Sequence, residues 1–147
     1  MRRFGLTIAA VLIGSLGMAE SATACDCVDP EYVYENSAKA AFTGRLLSKE
    51  EGQRGERYTY RVKRVFKLSD NIELSPGDEI TLPVFGIEAC GFPQEDGERY
   101  GVMAVRHGRG EKLQANGCTM TSAENLRRIA RKAGDARMGG ADCGTQT

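Results

Sequence analysis

Five cysteines, at positions 25, 27, 90, 118 and 143, are the residues of this 147-residue chain best suited to covalent chemistry. Cysteine sulfur can form disulfides, hold metals or exchange electrons, and the redox compartment selects among these roles. A pair spaced as closely as Cys25 and Cys27 strains badly when joined to itself. Two distant partners serve it better, and Cys90 and Cys118 are the natural ones. Cys143 is then left over: free, capped, or bonded to a second chain as a disulfide-linked dimer. A redox-active Cys25-x-Cys27 is poorly supported, because no thioredoxin-like βαβ pattern accompanies it. The single histidine, His107, sits in a Gly-flanked turn and cannot alone complete a triad or a multi-histidine metal site. The expectation is a protein that is not an enzyme and carries no cofactor.

The compartment is read from the first residues. Arg2 and Arg3 precede a mostly apolar run from Phe4 to Ala19, and Ala22-Thr23-Ala24 supplies the small–x–small pattern that signal peptidase reads. Glu20 ends the run short of the ~20 apolar residues that a spanning helix needs. Residues 1–24 therefore read as a cleaved signal peptide, and the mature chain as secreted or periplasmic with Cys25 first. A lipidated Cys25 is the weaker alternative, because Ala22 stands where lipoprotein sites usually carry Leu. The mature chain has 123 residues, one domain's worth, with 18 basic and 19 acidic side chains. That balance disfavours nucleic acid as a partner. No second apolar run reaches spanning length. Two long-range disulfides in such a domain would each contribute about 4 kcal/mol on the chain-entropy model.

The elements that must position these cysteines follow from patterning. Asp29-Pro30 is a helix start, with Asp as N-cap, leading a short helix to about Ser37. Residues 41–47 read as a strand, with Gly44 marking a bulge or a close backbone approach. A charged turn at 50–56 precedes the clearest strand, 57–68, where Tyr58, Tyr60 and Val62 alternate with polar residues before Val65-Phe66 shifts the phase. Ser75-Pro-Gly-Asp78 turns into a strand at 79–85 that Pro83 marks as an edge. Residues 99–105 suit a buried strand, with 112–115 a short partner across a Gly108–Gly110 turn. Thr121 and Glu124 form a capping box for a helix whose apolar stripe is Leu126, Ile129, Ala130 and Ala133, ending at Gly134. The basic residues Arg127, Arg128, Arg131 and Lys132 lie largely off that stripe, as a solvated face usually does. Residues 135–147 read as a flexible C-terminal tail. The expected fold is mainly β, a five-stranded OB-fold-like antiparallel barrel with two flanking helices, stapled by disulfides; a sandwich is the alternative.

Cys25-Asp26-Cys27 at a new N-terminus, Ala40 to Gly44 in the first strand, Glu88-Ala89-Cys90-Gly91, and Cys118-Thr119 before a helix together resemble the netrin-like domain. The nearest branch is that of the tissue inhibitors of metalloproteinases. The resemblance spans about residues 25–121, and the cysteine spacing is its specific part. It implies a netrin-like, TIMP-like OB-fold domain over 25–134 with bridges Cys25–Cys90 and Cys27–Cys118.

It also implies a function. In that branch the mature N-terminal cysteine binds the zinc of a target metalloprotease through its backbone amine and carbonyl. Such a zinc keeps an open coordination position. An α-amine with a reference pKa of about 7.7–8.0 can donate its lone pair near neutral pH. By this resemblance Cys25 chelates, Asp26 enters the specificity pocket, Cys27 fixes the terminus, and Glu88 and Ala89 line the same ridge. The chain departs from those inhibitors at residue 26, where they carry a small or hydroxyl residue, and it lacks their C-terminal subdomain. The alternative is a non-inhibitory protein-interaction module of the envelope or extracellular space, with purely structural disulfides.

Overall fold

A computed structural model describes residues 26–52, 55–69, 71–86, 93–106, 108 and 112–139. Asp29 opens the first helical turn as its type predicts: its Oδ1 accepts the Glu31 amide N–H at 2.7 Å. Pro30, with no N–H to satisfy, fills the first helical position. This turn, α1 (Pro30–Tyr32), widens into a π-helical turn over Val33–Ser37, which buries Val33 and Tyr34.

Among the described residues six strands follow: β1 (Ala38–Gly52), β2 (Gly55–Leu68), β3 (Glu79–Phe85), β4 (Arg99–Val105), β5 (Ala115–Asn116) and β6 (Met120–Ser122). The chain then enters helix α2 (Ala123–Gly139). The strands form one sheet in the order β5-β3-β2-β1-β4-β6. Neighbours are antiparallel except β3 and β5, which pair in parallel at Val84–Ala115 and Phe85–Asn116. Val105 and Gln114 exchange two backbone hydrogen bonds, at 2.9 and 3.0 Å, joining the end of β4 to the residue before β5. Hydrogen bonds therefore run in a circuit from β1 through β2, β3 and β5 to β4 and back.

The mainly-β expectation holds, but an all-antiparallel five-stranded sheet is corrected to a six-stranded mixed one. β6 has three residues, too few to show a period. Of residues 112–115, expected beside β4, Gln114 alone bridges to it. Ala115, with Asn116, instead pairs with β3, whose outer side has no other strand among the described residues, and so satisfies backbone groups an edge would leave open. Pro83, lacking an N–H, lies in β3 opposite Arg57 of β2, just before the two residues that β5 pairs.

Bulges bend the long β1–β2 pair. Ala41 faces Lys67 while Phe42 faces Val65, so Phe66 is one extra residue; Thr43 faces Arg64 while Gly44 faces Val62, so Lys63 is another, and the phase shift that puts Val65 on the same side as Val62 arises there. Val65 consequently packs against one side of the sheet and Phe66 against the other. The second irregularity lies between Thr43 and Gly44, where an added Cβ would sit 3.1 Å from Tyr60 Cβ. Both readings of Gly44 are correct.

Two apolar clusters flank the sheet. The first, enclosed by the circuit, includes Phe42, Leu46, Tyr60, Val62, Leu82 and Val102, each at most 1 % exposed. The second joins Ala38, Ala41 and Met103 of the outer face to Leu126, Ile129 and Ala133 of α2. The helix stripe is as expected, but its ends are not. Ser122 is the residue whose Oγ accepts the Asn125 amide N–H (3.1 Å), while Thr121 Oγ1 accepts from the Asn125 side chain (2.8 Å). The helix also runs through Gly134 to Gly139, so the tail expected from 135 begins as helix. A single mid-helix glycine costs only about 1 kcal/mol, and the good helix formers Ala136, Arg137 and Met138 follow it. Residues 140–147, with Cys143, lie outside the described residues. Among those described, no helix is long and apolar enough to cross a membrane.

Candidate functional site

Cys27 is bonded to Cys118, with the two Cα atoms 5.4 Å apart and a sequence separation of 91. The receiving end is a rigid turn. Asn116 Oδ1 accepts the amide N–H groups of both Cys118 (2.9 Å) and Thr119 (3.1 Å), and Thr119 Oγ1 accepts the Asn116 N–H (2.9 Å). The Met103 N–H then donates to Thr119 O at 2.8 Å, locking the turn onto β4. On the other side of Cys27, the Asp29 cap fixes the chain where α1 begins. The four residues Asp26 to Asp29 are thus held at two points while all four stay exposed. Val28 is 56 % exposed, an apolar side chain left in water between two anchors.

Beside this segment lies a cavity of about 540 Å³. Asp26, Val28, Lys39, Arg106 and Asn116 are among its walls. Arg106 Nε is buried and has no hydrogen-bond partner among the described residues. The cavity sets one carboxylate among two cations above an apolar floor of Val33 and Val105, with the disulfide at its rim. Lys39 and Arg106 come together because both flank the Ala38–Val105 pair, Lys39 as the extra residue of an irregularity between Ala38 and Ala40. Nothing in the sequence signals that meeting. The Asn116-Gly117 dipeptide, by contrast, is a turn signal that could have located the receiving turn.

Of the residues singled out from sequence, the structure brings together Asp26, Cys27 and Cys118. Cys25, Glu88, Ala89 and Cys90 lie outside the described residues, as do His107 and Cys143. Among the described residues no three His, Cys, Asp or Glu side chains cluster as metal ligands. The shifted titrations lie elsewhere. Burial, helped by a hydrogen bond to Glu56, pushes the Tyr58 hydroxyl up to about 12. Burial pushes Tyr60 up as well, against the lowering effect of its 2.6 Å bond to Gln94 Oε1. Both rings belong to the enclosed core, so these shifts report packing and not a reactive centre.

No family model matches this sequence, and no curated protein matches it.

Proposed function

We propose that this chain is an exported, netrin-like OB-fold protein that inhibits a zinc metalloprotease through its mature N-terminus. Three observations support the frame. The circuit β1-β2-β3-β5-β4 fits a small partly open barrel. A long-range disulfide fits an oxidising compartment outside the cytoplasm. The near-neutral charge balance fits a protein partner over a nucleic acid.

The observation that carries the inhibitory reading is the Cys27–Cys118 bridge. It fixes a residue two positions beyond the proposed terminus onto a hydrogen-bonded turn, while Asp26 and Cys27 remain exposed. A terminus held in advance loses little entropy on docking. In this reading the Cys25 α-amine, deprotonated, and the Cys25 carbonyl oxygen close a five-membered chelate on the target's zinc and displace its water. Asp26 enters the adjoining pocket, and Glu88 and Ala89 extend the contact. The protein itself performs no catalysis and needs no cofactor.

Asp26 favours a second reading, a non-inhibitory interaction module. A carboxylate loses hydration in an apolar pocket and is costly there without a partner. An inhibitor built this way selects proteases with a basic pocket, and an interaction module has no such requirement.

The test is to compare the chain beginning at Cys25 with a version carrying one extra alanine before it, against a panel of zinc metalloproteases. Inhibition by the first and its loss in the second, with unchanged thermal unfolding, is the expected result. Equal inhibition by both chains excludes chelation. The intact mass of the exported protein reports the cleavage site and any lipid on Cys25, which would block the amine.

A further inference from the structure

A second groove, sharing no wall with the cavity beside Asp26, lies where the Phe66 bulge of β2 meets α2. Its volume is about 540 Å³, within the span of about 300–1,000 Å³ that small-ligand sites occupy. Three arginines line it: Arg64 from β2 and Arg127 and Arg131 from α2. Its apolar surfaces are Phe66, Ala130 and the buried Tyr34.

The arrangement of charge is the informative part. Arg128 and Lys132, on the same helix, both reach Glu31 and are accounted for as an ion-pair network. Arg127 and Arg131 have no hydrogen bond or ion pair among the described residues. Among the described residues Arg64 has only the face of Phe66, with its guanidinium 5.1 Å from the ring centroid. Like charges four apart on a helix destabilise it, and Arg64 adds a third from another element. In a chain with equal numbers of acidic and basic residues, this convergence is local and not a consequence of composition. Among the described residues Glu124 is the one acid lining the groove, and it offsets one charge of the three to leave +2.

We propose that this groove binds a phosphate monoester with an apolar body. Such a group carries about −1.5 to −2 at pH 7 and three acceptor oxygens, matching the net charge and the number of guanidinium forks. A single carboxylate would leave charge uncompensated. The apolar body rests on Phe66 and Ala130, with the planar guanidinium of Arg64 beside it. The ester can come from a soluble molecule or from the headgroup of a monoester phospholipid, and the groove reads the chemistry the two share.

The experiment titrates the mature chain with phenyl phosphate and with inorganic phosphate by calorimetry at low salt. It adds co-sedimentation with phosphatidylcholine vesicles, with and without phosphatidic acid. Phenyl phosphate is expected to bind at least about tenfold more tightly than inorganic phosphate, because only it uses the apolar floor. Arg127→Ala and Arg131→Ala each weaken binding by about tenfold, the loss of one charge-assisted contact. Arg128→Ala, outside the groove, leaves binding unchanged, and Glu124→Gln strengthens it. Affinity falls below about pH 6 as the phosphate gains a proton. All these substitutions are at exposed positions, and thermal unfolding verifies that each variant is folded. Sedimentation with phosphatidic acid assigns the headgroup source, and soluble binding alone assigns the free ester; either supports the proposal. No phenyl phosphate binding at millimolar concentration, binding by Arg127→Ala and Arg131→Ala as tight as that of the unsubstituted chain, or tighter binding of a glutamate-rich peptide through the same arginines would overturn it.

Discussion

The two faces of β1 and β4 are built on opposite plans. The enclosed face carries large side chains: Phe42 meets Tyr60 edge-on with ring centroids 6.1 Å apart, and Tyr58 lies 6.3 Å from Tyr60. The outer face of the same strands carries Ala38, Ala41, Gly101 and Met103. Here small residues let α2 approach so closely that a Cβ on Gly101 would lie 2.6 Å from Leu126 Cβ and 2.9 Å from Ser122 O. One face is filled by bulk and the other is cleared for backbone approach. Residues adjacent in sequence, such as Ala41 and Phe42, belong to different plans because successive side chains of a strand point to opposite faces.

The comparison breaks most sharply at Phe42. Phe42→Ala removes a fully buried ring from the enclosed face and is expected to cost about 3–5 kcal/mol, read as a lowered urea midpoint. Ala41→Gly, one residue away on the outer face, should cost much less. Equal losses at the two positions would mean that the faces do not differ as described. Gly101 gives the converse test. Gly101→Ala adds one methyl group, yet it meets the helix at both Leu126 and the Ser122 carbonyl. Overpacking of this kind costs about 1–3 kcal/mol, and the backbone oxygen in the clash puts this site toward the upper end.

The enclosed face also contains polar groups, and these sharpen the contrast at smaller scale. Tyr60 OH donates to Gln94 Oε1 at 2.6 Å, and both side chains are buried. Tyr60→Phe leaves the Gln94 oxygen without that donor, at a cost of about 1–2 kcal/mol. The same tyrosines make stability pH-dependent. Tyr58 is raised from 10.0 to about 12, so between these values the folded chain keeps a proton that the unfolded chain has lost. Stability is fully present below pH 10 and is lost as pH rises toward 12. Urea midpoints should fall across that window, and Tyr58→Phe should flatten the fall.

Patterning made much of this legible in advance. Alternation at Tyr58, Tyr60 and Val62 located β2 and its buried face, and the phase slip before Val65-Phe66 marked the irregular stretch of β2 that supplies Arg64 and Phe66 to the groove. The stripe Leu126, Ile129 and Ala133 located the face of α2 that packs on the sheet. What stayed hidden depends on distance in sequence. The β3–β5 parallel pair, the three-residue β6, the meeting of Lys39 with Arg106, and that of Arg64 with Arg127 all depend on how the circuit closes. The Cys27–Cys118 bridge is the exception among long-range contacts: the resemblance in cysteine spacing names it, where the cysteine positions alone offer Cys90 and Cys118 as partners without assigning them.

The start of α2 carries the finest test, because sequence and structure nominate adjacent residues as its cap. Thr121 with Glu124 has the spacing of a capping box. In the structure, however, β6 continues through Ser122 and the helix begins at Ala123, so Thr121, paired opposite Gly101, stands two positions before the first helical residue and not at its cap. Ser122, at the strand's end, takes that role by accepting the Asn125 N–H. Ser122→Ala should therefore cost about 1 kcal/mol, the usual value of a lost N-cap. Thr121→Ala, which loses only the contact with the Asn125 side chain, should cost a few tenths. The pair also bears on the outer face as a whole, since the first turn of α2 sets where Leu126 meets Gly101 and where Glu124 and Arg127 enter the groove. If Thr121→Ala is the more costly change, the helix starts one residue earlier in solution, and the outer face is packed in a different register from the one described.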